Sequence, residues 1–470
     1  MIERAVGLFS RSIIRYDMVY SGNTVRRVFL VGFSAHVKSA LTASGIKCIS
    51  CGAGKHDDIS YMDLMEGGRY PSTRNGSIVQ DQDIEELLRQ DTNIWLSYER
   101  KDVNRVSMST NQVSEIRSMI SAHFIYFREF LSTGFDAIVF ASLPHEGFDN
   151  VIYLVARMLG IKTVRMWQIP WMSRTLELLD DETLCEASDR ASKRMISELS
   201  SSENLQMEEF KECLSGEKTL FYMRDIKPSR LKGVLSARRI PDYIRRPYRI
   251  ATDLVLTAKY RRYKRKIKQL ASRSAEDLAG SFVYYPLHLQ PELTTTALGG
   301  VYVDQVLALN TLSHICERKG KRVVVKDNPK QCYSNRGSMF FRYISDLSNV
   351  DIVSSSVQSM YLLTKAAAVA TVSGTAGIEG LWHGKPVICM GDIWWKSWHG
   401  VYTLDEFEHK KDFFADDQMV DSRYYIEKML RQLCVGTFPG CSDEDYRDSY
   451  GIDELENSKR IASAINDLIK

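Results

Sequence analysis

The residues from Ala366 to Trp395 read AAAVATVSGTAGIEGLWHGKPVICMGDIWW, and they carry the groups best spaced for chemistry on an anion. Ala368 to Val372 is a short apolar run suited to a buried strand. Ser373-Gly374-Thr375-Ala376-Gly377 then supplies hydroxyls and glycines at a turn. Thr375 is placed to cap the helix that follows, and Glu379 stands one turn into it. Unpaired N–H groups at Gly374 to Ala376 would favour a phosphate, and Glu379 would accept hydrogen bonds from hydroxyls. These are the parts of a nucleotide-sugar site. They are equally the parts of an ordinary βα turn.

Two nearby stretches strengthen the first reading. A strand at Phe282 to Tyr285 is followed by Leu287-His288-Leu289-Gln290-Pro291-Glu292, and a strand at Val323 to Lys326 by Asp327-Asn328-Pro329, with Arg336 just beyond. Adjacent parallel strands would bring His288, Gln290, Glu292, Lys326, Asn328 and Arg336 to the edge that holds Ser373, Gly374, Thr375 and Glu379. Together they offer cation, carboxylate and amide groups to a phosphorylated sugar. Trp394, Trp395 and Trp398 either stack on a sugar or base or cap the hydrophobic edge of the sheet.

A further cluster lies in the first half. The strand Ala137 to Ala141 ends in Ser142-Leu143-Pro144-His145-Glu146-Gly147-Phe148-Asp149. His145, Glu146 and Asp149 there suit general acid/base chemistry or acceptor binding beyond the carboxyl end of a strand. The alternative is a helix-capping loop, with Asp149 as N-cap and His145 exposed. His36, after the first strand, reads as a surface histidine or as a cleft residue.

Three local motifs carry nothing. Cys48-Ile49-Ser50-Cys51 has no second pair to complete a zinc site. Gly52-Ala53-Gly54-Lys55 resembles the end of a P-loop, but Ile49 and His56 stand where glycine and a hydroxyl belong. Asp81-Gln82-Asp83 has DxD spacing, yet Asp83 with Glu86 reads more simply as the capping box of a helix.

These residues need elements to hold them. Strands at Arg27 to Gly32, Gly45 to Ile49, Asn93 to Ser97, Ala137 to Ala141 and Ile161 to Met166 alternate with helices. The series restarts at Ser281 with strands at Phe282 to Tyr285, Val323 to Lys326, Asp351 to Val353, Ala368 to Val372 and Val387 to Met390. The expected fold class is α/β, with two Rossmann-like domains facing across a cleft, a basic helical connector and C-terminal helices. The expected division is 1–220 for the first, acceptor-side domain, 221–279 for the connector, 280–435 for the nucleotide-sugar-binding domain and 436–470 for a helical tail.

With 470 residues, 44% hydrophobic and 26% charged, the composition is that of an ordinary globular protein, and the net charge is only +3. The basic character is local: residues 224–273 hold seventeen Lys and Arg against three Asp. A solvated linker helix accounts for it, and so does an anionic membrane surface or glycan. Nucleic acid is not expected, since no nucleic-acid motif accompanies the charge. The N-terminus lacks a signal-peptide core, no uncharged apolar run of about 18 residues occurs, and the nine cysteines are scattered. The expected location is cytoplasmic, or peripheral at the inner membrane.

YYPLHLQPE, the Gly299 to Gln305 stretch GGVYVDQ, VVVKDNP, NRGSMFFRYI and VATVSGTAGIEGLWHGKPVICMGDIWW are similar, in matching order, to bacterial capsular polysaccharide biosynthesis proteins, a family that includes β-Kdo transferases. The resemblance covers about residues 280 to 400. It is weaker in the first half, where SLPHEGFDNVIYLVARMLGIKTV carries it. It implies a GT-B glycosyltransferase that needs no metal and no cofactor. A nucleotide sugar, with CMP-Kdo as the family's best-known donor, would be held by the second domain and passed to a glycan or lipid-linked acceptor. A last helix crossing back onto the first domain would fit that plan. One departure stands out: the family pattern reads Lys-x-His-Pro, and here Asn328 replaces the histidine. Asparagine hydrogen-bonds but cannot become cationic. A nucleotide-sugar epimerase or hydrolase of the same fold, or a non-catalytic assembly protein, are the competing readings.

Overall fold

The computed structural model describes residues 26–60 (apart from 53 and 55), 81–90, 94–96, 98, 112–219, 248–271, 278, 281–328 (apart from 291), 331, 338–414 (apart from 355) and 422–470. Arg336 lies outside them.

In chain order the first part comprises β1 (Arg27–Val31), α1 (Ala35–Ala43), β2 (Lys47–Gly52), β3 (Ile59–Ser60), α2 (Asp81–Gln90), α3 (Gln112–Leu131), β4 (Ala137–Phe140), α4 (Phe148–Met158), β5 (Lys162–Gln168), β6 (Arg174–Leu179), α5 (Leu184–Ala191) and α6 (Ser201–Leu214). The connector helix α7 spans Tyr248–Leu270. Then come β7 (Phe282–Pro286), α8 (Leu293–Thr296), α9 (Gln305–Arg318), β8 (Arg322–Lys326), α10 (Ser338–Asp346), β9 (Val350–Val353), α11 (Ser359–Lys365), β10 (Ala368–Thr371), α12 (Ala376–Trp382), β11 (Val387–Cys389), β12 (Val401–Tyr402), α13 (Leu404–His409), α14 (Ser422–Val435), β13 (Phe438–Pro439), α15 (Glu444–Ser449) and α16 (Glu454–Ile469).

Two sheets result, ordered β13-β6-β5-β4-β1-β2-β3 and β12-β11-β10-β7-β8-β9. The second is parallel throughout, and the first is parallel except at β5-β6 and β6-β13. Parallel strands are covered on both faces, which is why β4 (AIVF) and β10 (AVAT) are buried at every position. In each sheet the strand order reverses at one place: between β1 and β4 in the first, and between β7 and β10 in the second. Helices leave opposite faces there, so a crevice opens beyond the carboxyl ends.

The tail is built into the first sheet. Ile461, Ala462, Ile465 and Ile469 of α16 pack with Val37, Leu41 and Val164. Buried Arg174 holds the junction, pairing with Glu203 at 2.7 Å and donating to the carbonyls of Cys434 and Thr437 at 3.0 and 2.9 Å. Between the sheets runs one continuous apolar core, which joins Trp167, Trp171 and Phe210 to Tyr284, Ile378, Trp394 and Trp398.

Two expected elements differ. Residues 94–96 are helical rather than extended, because Ile94 and Tyr98, four apart, are both buried as on one helical face. Helix α2 starts at Asp81, so Asp83 lies inside its first turn and is not its N-cap.

Candidate functional site

The loops after β7, β8 and β10 meet at the reversal point of the second sheet. His288 is the link between the first and third. Its Nε2 accepts the Val372 N–H at 3.0 Å and lies 3.1 Å from the Thr371 hydroxyl. Nitrogen that accepts an amide proton carries none of its own, so the ring is neutral with its proton on Nδ1. The Thr371 hydroxyl in turn accepts the Gly374 N–H at 2.9 Å. A Cβ on Gly374 would stand 2.7 Å from His288 Cε1, so only glycine fits there. Two glutamines clamp the loop from behind: Gln305 bonds both backbone groups of His288 at 2.9 and 3.1 Å, and Gln331 does the same for Gln290 at 3.0 and 2.9 Å.

Several groups expected to face a donor are occupied by the protein itself. The Gln290 amide donates to the Val303 carbonyl at 2.6 Å, and the Ser373 hydroxyl donates to the Thr294 carbonyl. Glu292 stands at the start of α8, where the Thr294 hydroxyl approaches it at 3.3 Å. Thr375 occupies the N-cap position of α12 but makes no side-chain cap bond, since its own backbone is already helical. With Gly374 bonded to Thr371, that N–H is not available to a phosphate either.

Lys326 is different. It ends β8, its side chain is buried, and its ammonium donates to the Ser359 hydroxyl at 2.8 Å. Among the described residues no carboxylate lies within ion-pair distance of it. Burial alone draws its pKa below the ordinary lysine value. The neighbouring Asp327 is not its counter-ion, because α7 engages that carboxylate: the Tyr263 hydroxyl donates at 2.6 Å and Lys264 approaches at 3.4 Å. Tyr263 and Ile267 are buried in the core of the second sheet. So at least one tyrosine of the basic segment faces inward, toward Asp327. Tyr284 also bonds Ser359, and Glu379 is close enough to act on the Tyr284 phenol. The Glu379 carboxyl is raised to about 7 by desolvation, although it keeps a part-exposed edge. The Asn328 carbonyl accepts the Gln331 N–H at 3.0 Å. Asp327, Ser359 and Tyr284 were missed by sequence reasoning. Only the Lys-Asp adjacency hinted that one charge must be neutralised from elsewhere.

The tryptophans are core residues. Trp394, Trp395 and Trp398 are all buried; Trp394 lies 4.6 Å from Trp171 between ring centroids, and the Trp395 ring lies 2.2 Å from where a Cβ on Gly377 would sit. Stacking on a ligand is thereby corrected, since packing between the sheets claims the rings.

In the first sheet the loop after β4 lines a cavity of about 550 Å³ with residues that follow β1 and β2. Asp149 does not cap α4: the N-cap is Gly147, at φ 86°. The Asp149 carboxylate instead accepts N–H groups from His145, Glu146 and Asn150 at 3.0, 2.7 and 2.7 Å. Burial, with Glu146 adding to it, nevertheless raises this carboxyl to about 7. His145 is buried, not exposed, and its Nδ1–H donates to the Leu143 carbonyl at 2.6 Å. His36 is exposed, 3.7 Å from Glu454. A second cavity, of about 650 Å³, opens between the sheets; Leu143, Pro144 and Asn150 line one wall and Thr296 to Tyr302 with Met390 to Asp392 the other. His145, Glu146 and Asp149 line the first cavity and not this one. The acid/base cluster lines the first cavity, and His288, Lys326 and Glu379 line neither of the two.

Two Rossmann-like sheets, each with its crevice at a reversal point and with a cleft lined from both, make this an α/β protein of GT-B type. Residues 212–432, which include the connector helix and the second sheet, match the model of the capsule polysaccharide biosynthesis protein family. No curated protein matches the chain. Among solved structures, it is similar to the β-Kdo 2,7 transferase KpsC of Thermosulfurimonas dismutans, at 9% identity over 88% of this chain and 90% of that one, TM-score 0.31. It is also similar to the UDP-GlcNAc 2-epimerase of Methanocaldococcus jannaschii solved with UDP-GlcNAc and UDP, at 12% identity over 87% and 99%, TM-score 0.27.

Proposed function

We propose that the protein is a glycosyltransferase of surface polysaccharide assembly, moving a sugar from a nucleotide donor to a glycan or glycolipid acceptor. The observation that carries this reading is Lys326: a buried ammonium without a carboxylate partner among the described residues, at the carboxyl end of a strand next to the reversal of a parallel sheet, in a segment that matches the capsule family. An uncompensated buried cation is stabilised by an anionic ligand, and a departing nucleotide phosphate is one. In this reading Lys326 supplies the charge that a metal supplies elsewhere, and Glu379 takes hydroxyls of the nucleotide. Arg336 and Asn328 belong to the same donor group. His145 and Glu146 then serve the acceptor side, with the His145 ring oriented by its Nδ1–H bond to the Leu143 carbonyl. Asp149 holds their loop. CMP-Kdo is the first donor to try.

The test is nucleotide release from a panel of nucleotide sugars, CMP-Kdo included, with and without lipid-linked and capsule-type acceptors. Acceptor-dependent release supports the transferase. Release without acceptor replaces it with an epimerase or hydrolase, and neither release nor donor-induced stabilisation across the panel sinks it.

In the same reading the connector helix, packed on the second sheet, docks the protein on the membrane that holds a lipid-linked acceptor. Arg261, Arg262, Arg265, Lys266 and Lys268 of α7 are exposed, with Leu254 and Val255 exposed two turns earlier, while Tyr263 and Ile267 are buried on the opposite side. Such a face suits anionic headgroups at the inner membrane. No helix among the described residues is long and apolar enough to cross a membrane. Flotation with phosphatidylglycerol vesicles but not with phosphatidylcholine vesicles is expected, and is abolished by reversing three of these charges.

A further inference from the structure

The cleft between the sheets holds a second set of charges whose balance is uneven. Three carboxylates line it, and each is engaged by the protein. Glu182 receives Nε and Nη2 of Arg190, both at 2.8 Å. Asp181 pairs with Arg157 at 3.4 Å. Asp392, from the second sheet, accepts the N–H groups of Leu184 and Cys185 at 2.6 and 3.2 Å, across the cleft at the start of α5.

The cations are less well served. Arg165 lies over the Tyr153 ring at 4.7 Å and donates one bond, from Nη2 to the Glu182 carbonyl at 2.6 Å. Its Nε is buried with no hydrogen-bond partner, and no carboxylate stands within ion-pair distance among the described residues. Burial draws its pKa below the ordinary arginine value, with Arg157 adding to the effect and Tyr153, Glu182 and Asp181 opposing it. Lys396 faces the same cleft from the second sheet and makes no side-chain hydrogen bond or ion pair among the described residues. A part-buried guanidinium whose buried Nε–H has no partner is costly to leave incomplete, and its planar fork matches a two-oxygen anion.

We infer that Arg165 and Lys396 form an oxyanion subsite that takes the carboxylate or phosphate of a sugar ligand bound between the two sheets. The subsite is distinct from the loops around Lys326, and it stands whether or not the protein transfers sugars. Arg165 stands on β5 of the first sheet and Lys396 follows β11 of the second, so an oxyanion that engages both bridges the two sheets. Neutral sugars lack the group and gain nothing from either cation. The cleft holds a monosaccharide with room to spare, given its volume of about 650 Å³.

The experiment is calorimetric titration of the full chain with D-glucuronate, inorganic phosphate and D-glucose at low salt, for the wild type, Arg165→Gln, Lys396→Gln and the double variant. Glucuronate or phosphate is expected to bind, glucose not, and each single variant to weaken the anion by about ten-fold or more. Glucuronate alone binding assigns the subsite to a sugar carboxylate; phosphate binding as well, and competing, assigns it to a phosphate. Anion binding unchanged by both substitutions overturns the proposal, as does equal binding of glucose or no anion binding by the wild type. Arg165 packs on Tyr153, so that variant is checked by circular dichroism. Lys396→Gln, which removes no contact of the folded chain, decides the matter if Arg165→Gln does not fold.

Discussion

The loop after β4 and the loops around Lys326 both bury charge at a strand-reversal crevice, yet they treat it oppositely. Asp149 is surrounded by three backbone donors supplied by its own loop. Lys326 has one hydroxyl and, among the described residues, no counter-charge within ion-pair distance. A buried charge satisfied by its own backbone organises that backbone. A buried charge left without its complement is finished by a ligand. In the proposed reading Asp149 therefore has a structural role and Lys326 a binding role, although both were candidates as residue types.

The comparison breaks most clearly at Lys326. Lys326→Met is expected to lower transfer by about a hundred-fold or more, the scale of removing a preorganised charge from a developing anion, while unfolding stability stays level or rises. Steady-state kinetics beside urea melts measure both, and a stability loss with unchanged kinetics would reverse the assignment. Asp149→Asn should do the converse. An amide oxygen cannot serve all three N–H groups, so stability should fall by about 1–3 kcal/mol, with donor affinity unaltered. A donor-affinity loss equal to that of Lys326→Met would erase the distinction between the loops.

Smaller effects sharpen the picture. Glu379 has its carboxyl raised from 4.5 to about 7 by desolvation, so the native state holds a proton that the unfolded chain has released within that interval. Its contribution is favourable below the lower value and is lost as pH rises through the upper one. Glu379→Gln should flatten that part of the stability-pH curve, measured by thermal melts from acid to neutral pH; an identical slope in the variant counts against the desolvated carboxyl. Last and least is Asn328→His. It restores the family's Lys-x-His-Pro pattern, and its extra charge exists only below about pH 6.5. Donor binding should tighten modestly in acid and hardly at neutral pH, and a pH-independent gain would point to shape rather than charge.

Much of this was legible beforehand. The strands beginning at Arg27, Phe282, Val323 and Ala368 were marked by apolar runs, and the convergence of the loops after β7, β8 and β10 follows from parallel adjacency. What single residues would do at that convergence was less legible. Trp394, Trp395 and Trp398 looked equally fit for a ligand or a core, since an indole does either. Gln290 and Ser373 looked like donor ligands, because nothing local showed that Val303 and Thr294 carbonyls would come within reach. Residues 94–96 misled because a short apolar run satisfies two periodicities at once.

The sequence by itself determined the class of the protein: the alternation of strand and helix, the restart near residue 281, and the motifs that match the capsule family, all of which are encoded locally in periodicity and turn chemistry. Tertiary structure decided which charges are complete. The Asp327 carboxylate accepts the Tyr263 hydroxyl, sixty-four positions away in the connector, and pairs with Lys264 at 3.4 Å, so Lys326 is without an ion-pair partner among the described residues. Arg165 and Lys396 share a cleft only because two sheets face each other. Compensation of a buried charge depends on distance through space, and chain spacing does not record it.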